Sequence, residues 1–253
     1  MVSGSRPLSS MLNKVPAITL AFWVVKILST TVGETLADFL NTRLGLGLVW
    51  TSALFVLLFL AVLYFQLRAT RYEPPLYWSV VVIVSVVGTL ITDTLVNVFT
   101  IPVEWTTIVF AVLLVALLSV WWYRERTLSM KSINTRRREL FYWAAIVLTF
   151  ALGTSAGDQL AEAAKLGYAL SALVFGGAIA LVAVAHFAFR LDGVVAFWIA
   201  YVLTRPLGAS LGDLLAQPRD EGGLGFGTTV TSVVFLAIIV VLVLRERRPP
   251  ARV

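Results

Sequence analysis

Apolar residues run along this chain in eight blocks of about twenty, separated by short polar stretches. At 1.5 Å per residue, twenty helical residues cross the roughly 30 Å of hydrocarbon in a bilayer. The pattern predicts eight transmembrane helices at about 16–40, 46–67, 76–97, 104–123, 140–164, 167–189, 195–217 and 227–245. Pro16 is expected in the first turn of the first helix, where its missing N–H leaves nothing unpaired. The fold class is therefore all-α membrane protein. A tail at 1–15 and another at 246–253 flank one membrane domain at 16–245. The N-terminus from Met1 to Lys14 is polar and lacks the apolar core of a cleavable signal peptide.

A second pattern lies over the first. The odd-numbered spans carry Phe22-Trp23, Tyr77-Trp78, Tyr142-Trp143 and Phe197-Trp198. Ten residues after each tryptophan stand Gly33, Gly88, Gly153 and Gly208, and five further on stand Asp38, Asp93, Asp158 and Asp213. With 17 glycines in 253 residues, four tandem copies of W-x9-G-x4-D are not a coincidence. The chain is thus four parallel two-helix repeats, at about 16–67, 76–123, 140–189 and 195–245, related by an axis along the membrane normal. At about 100° per residue the repeated Gly, the small residue four positions on and the Asp share one side of the helix. The small residues predict close approach of the odd helices around a common centre, with the even helices outside as apolar staves. Each Trp is expected at the headgroup level, and each Asp near the opposite end, about 22 Å away.

Charge adds orientation. Lysine and arginine gather on the side that holds both termini and the loops after spans two, four and six; Arg43, Lys165 and Arg219 alone mark the other. That bias places both termini in the cytoplasm, and the membrane is expected to be the cytoplasmic (inner) one. The net charge of +6 is explained by these loops, so no nucleic-acid partner is expected; the partner is the lipid bilayer. No cysteine is present and His186 is the single histidine, which excludes thiolate and histidine-rich metal sites. No cofactor motif is visible, and the oligomeric state is open.

The repeats diverge in their polar residues. The first unit carries Lys26, Thr30, Glu34 and Asp38 at a spacing of four, and the fourth carries Arg205 before Pro206. Lys26, near the interface, either snorkels or turns inward. Glu34 and Arg205 are within reach of one another if spans one and seven meet. Charges inside a span are costly, roughly 2.5–3.5 kcal/mol each on insertion scales. Two readings stand for the four Asp residues: structural hydrogen bonding, or direct contact with a cation or proton.

The aromatic-Trp, Gly and Asp units, with Gly212-Asp213-Leu214-Leu215 and Thr204-Arg205-Pro206-Leu207-Gly208, resemble a bacterial membrane-protein family of four tandem two-helix repeats of unknown function, each with a characteristic Trp. The resemblance implies the fold and the membrane, and no activity. Three functions compete. The first is a transporter or channel for a small cation, either a divalent metal or proton-coupled. Its candidate residues are Glu34, Asp38, Asp93, Asp158, Asp213, Arg205 and Lys26; oxygen ligands alone would suit Mg²⁺ or Mn²⁺. The second is a non-catalytic membrane scaffold or partner subunit. The third, an intramembrane enzyme, lacks any nucleophile–base pair or metalloprotease motif, so the chain reads as no enzyme.

Overall fold

The computed structural model describes residues 13–43 and 45–246; the N-terminal tail up to residue 12 and the C-terminal tail from residue 247 lie outside the described residues. Eight long α-helices follow in order: α1 Leu20–Asp38, α2 Leu48–Arg68, α3 Pro74–Asp93, α4 Val103–Glu125, α5 Arg136–Asp158, α6 Tyr168–Phe189, α7 Gly193–Ala216 and α8 Thr228–Glu246. All eight are long and apolar enough to cross a membrane. The first begins later than its proline suggests. Thr19 caps it, its hydroxyl accepting from the Phe22 N–H at 3.3 Å, and Pro16 lies in the segment before it.

The odd helices form the inside and the even helices the outside. In the apolar windows of α1, α3, α5 and α7, 56–61% of positions are buried; in those of α2, α4, α6 and α8, 6–28% are. Leu57, Val112, Leu173 and Val233 face outward. The odd helices pack in a closed cycle, α1 on α3, α3 on α5, α5 on α7 and α7 back on α1. Each even helix packs chiefly on the odd helix of the next unit: α2 on α3, α4 on α5, α6 on α7, and α8 on α1. The two-helix repeat is therefore the unit of sequence but not of packing.

Turn chemistry sets where the even helices start. Gly47, Gly167 and Gly227 precede α2, α6 and α8 with φ of 77°, 77° and 81°, a backbone that side chains rarely adopt. Their carbonyls accept the N–H of Thr51, Ser171 and Thr231. The second unit has Pro102 at that place, and its positive φ moves to Thr100. At the other end, α1, α3 and α5 run just past their repeated Asp into five-residue π-helical turns, Phe39–Arg43, Thr94–Val98 and Gln159–Ala163. α7, with Pro206 inside it, has no such turn.

Candidate functional site

Two wheels of contacts assemble the axis of the bundle. The first is aromatic. Phe22 packs on Trp78 (ring centroids 5.7 Å), Tyr77 on Trp143 (5.5 Å), Tyr142 on Trp198 (6.4 Å) and Phe197 on Trp23 (5.7 Å). The residue before each Trp thus meets the Trp of the next odd helix, all the way round. Three of the four tryptophans are buried, at 2%, 2% and 5% exposure, with Trp23 half-buried. The rings lie between helices, because the dipeptide faces a neighbouring helix. The Trp78 indole donates to Glu246 (3.2 Å) and that of Trp198 to the Leu128 carbonyl (3.0 Å). Tyr72, outside the spans, donates to the same Glu246 at 3.0 Å. Burial first, and then the Glu246 charge, hold its phenol above the usual tyrosine range.

The second wheel uses the glycines. A Cβ on Gly33 would overlap Ser85 Oγ, one on Gly88 the Phe150 Cβ, one on Gly153 the Arg205 side chain, and one on Gly208 the Thr30 hydroxyl. Thr30, Ser85, Phe150 and Arg205 all stand seven residues after their Trp. Each glycine therefore admits the same register position of its neighbour. The approach is close enough for the Thr30 hydroxyl to reach the Thr204 carbonyl at 3.3 Å.

With both wheels in place, residues seven and eleven positions after each Trp converge on the axis. The guanidinium of Arg205, 0% exposed, sits there. Its Nη2 donates to Glu34 at 2.8 Å, to Thr154 at 2.7 Å and to Thr89. Glu34, Thr89 and Thr154 occupy the same register in α1, α3 and α5, so one side chain from α7 ties all four odd helices together. Thr89 also donates to Glu34 at 3.2 Å. The contact between Glu34 and Arg205 expected from the register is present.

Lys26 turns inward rather than snorkelling. It is 1% exposed, and its Nζ lies over the rings of Tyr201 (4.0 Å) and Phe150 (4.5 Å). Phe150 also carries the Arg205 guanidinium, 5.8 Å from its centroid. Several buried donors at this level have no acceptor: Lys26 Nζ, Arg205 Nε and Nη1, and Ser85 Oγ.

The four aspartates do not join this centre. They stand four residues beyond Glu34, Thr89, Thr154 and Ala209, toward the far end of each helix. Asp38 accepts from the Gln217 amide at 3.0 Å, across the junction of α1 and α7. Asp213 is 9% exposed; Asp38, Asp93 and Asp158 are half-buried. Among the described residues no three His, Asp or Glu side chains gather as a metal site would require.

Phe150 and Tyr201 have charge-bearing neighbours that sequence reasoning missed. The signal was available: Tyr201 holds in α7 the register that Lys26 holds in α1, and Phe150 that of Arg205. Glu139 was missed too. It is buried in the first turn of α5, salt-bridged to Lys14 at 2.8 Å and approached by Gln66 at 3.5 Å. That contact pins the segment before α1 to the ends of α2 and α5.

The sequence matches the family described as Repeat of Unknown Function (DUF347) four times in tandem, over residues 21–72, 76–127, 141–192 and 196–248. These matches cover most of the chain, and it belongs to that family. No curated protein and no solved structure matches it.

Proposed function

We propose that this member of a four-repeat family is a proton-coupled membrane transporter for a small solute, working at the Glu34–Arg205 pair. One observation carries the reading. The bundle is already held by its aromatic and glycine wheels, yet a charged pair lies on its axis, where the other units place Thr89, Thr154 and Ala209 opposite Thr30, Ser85 and Phe150. A buried ion pair seldom repays its desolvation as stability, so a scaffold gains little from it. A proton taken up by Glu34 removes the charge that holds Arg205 and frees the guanidinium for another acceptor. The Glu34 side chain keeps 8% exposure while that of Arg205 has none, so the acid is the member of the pair that water can reach.

The divalent-metal form of the reading is the weaker one, because Glu34 is engaged by arginine and the aspartates stand apart. The excess of Lys and Arg beside the Trp end orients that end, with both termini, to the cytoplasm of a cell whose inner membrane holds the protein.

The test is proton flux in proteoliposomes loaded with a pH-sensitive dye. Wild type should move protons under an imposed gradient. The double variant Glu34→Gln/Arg205→Gln should fold and lose that flux, because neutralising both members together leaves no orphan charge. Wild-type flux in the double variant would remove the pair from the mechanism and favour the scaffold.

A further inference from the structure

We infer that the axial site takes a small monovalent anion, held between Lys26 and Arg205 beside the Phe150 ring. The inference deepens the transport reading and takes its site from it. The motivation is an imbalance of both charge and hydrogen bonding. Lys26 and Arg205 bring two basic groups to the axis, each at most 1% exposed, and Glu34 alone answers them there. Arg205 spends Nη2 on Glu34, Thr89 and Thr154, while its Nε and Nη1 have no acceptor.

Lys26 Nζ has no acceptor either; it has only the faces of two rings, which attract a cation but accept no full hydrogen bond. Ser85, at the register of Arg205 in α3, adds another buried hydroxyl without a partner. Two basic donors from α1 and α7 and a hydroxyl from α3 make a donor-rich site. A positive charge on Lys26 in this low-dielectric core requires one more negative charge beside it. The aromatic wheel lies on the Trp side of this site.

This anion is the acceptor that Arg205 would turn to when Glu34 takes a proton. The two events together move one proton and one anion in the same direction, with no net charge transferred.

The experiment uses the full chain in detergent, with thermal unfolding followed by tryptophan fluorescence. Sodium formate, nitrate and chloride are each titrated against sodium gluconate, which serves as the large-anion control. At least one small anion should raise Tm saturably by about 4 °C in wild type. Lys26→Arg should keep that response and Lys26→Met should lose it. A wild-type Tm that none of the three probes moves, or an equal rise in Lys26→Met, overturns the anion site. The flux assay separates the two readings. Proton flux indifferent to all three anions leaves the proton reading standing and sinks this one. Saturable, Lys26-dependent anion binding without any flux supports this site and removes transport.

Discussion

Lys26 and Arg205 are both buried basic residues on one axis, yet they should answer substitution with opposite signs. Arg205 has three acceptors, and its loss strands Glu34 in the core. Arg205→Leu should therefore destabilise by about 3–5 kcal/mol, the usual cost of removing one partner of a buried pair. Lys26 has no acceptor to strand. Lys26→Met keeps the length of the chain and its contact with Tyr201 and Phe150. Measured in gluconate, it should stabilise by about 1–3 kcal/mol, because a buried amine without an acceptor is replaced by a thioether. Chemical denaturation of both variants checks the pair of signs; a destabilised Lys26→Met would mean that the amine has a partner. Glu34 and Arg205 were legible in the sequence because each breaks a fourfold register. Lys26 breaks it too, but its closeness to the Trp level made snorkelling an equal reading. What decides is the direction of the side chain, and that depends on the neighbouring helix and not on depth.

Among the helices, the four repeated glycines mark the closest approaches, each with a neighbour's heavy atom 2.7 Å or less from where a Cβ would stand. A Cβ on Gly88 would lie 2.7 Å from Phe150 Cβ and 3.0 Å from its backbone, and neither can swing aside. Gly177, in the middle of α6, meets nothing within 4 Å. Gly88→Ala should cost about 1–3 kcal/mol by overpacking. Gly177→Ala should gain up to about 1 kcal/mol in helix propensity. Unfolding in graded denaturing detergent should rank Gly177→Ala, wild type and Gly88→Ala in falling order; equal stability of the two alanine variants would refute the wheel. The W-x9-G-x4-D spacing made eight helices and an inner set of four legible, since residue identity recurs wherever the same contact recurs. It did not show whether an aromatic-Trp pair meets lipid or another helix, because both environments favour those rings. Nor did it show that α2, α4 and α6 lean on the following unit. A loop of Gly45, Leu46 and Gly47 permits either neighbour, and the choice is made by packing across the ring.

At the scale of the whole molecule, that leaning makes the fold a closed ring, with α8 of the last unit lying on α1 of the first. Thr35 of α1 and Ser232 of α8 share a hydrogen bond of 2.7 Å at this seam. Closure has a consequence for half-molecules. A chain cut after Arg126, in the exposed turn that ends α4, yields two halves of two repeats each. In the first, α4 loses α5, and α1 loses both α7 and α8. In the second, α8 loses α1, and α5 loses both α3 and α4. The axial site is divided as well: Glu34 and Thr89 fall in one half, Arg205 and Thr154 in the other. Each half alone would present glycine-lined flanks and an unpaired buried charge to lipid, where polar groups have few partners. The halves should therefore be degraded when expressed singly. When co-expressed they should co-purify from the membrane at a ratio of one to one, because every lost interface is complementary between them. Introducing Arg205→Leu into the second half should weaken recovery of the complex, since that side chain reaches two helices across the divide. A half that accumulates alone as a folded monomer would show that two repeats are self-sufficient and that the ring is an addition rather than the folding unit.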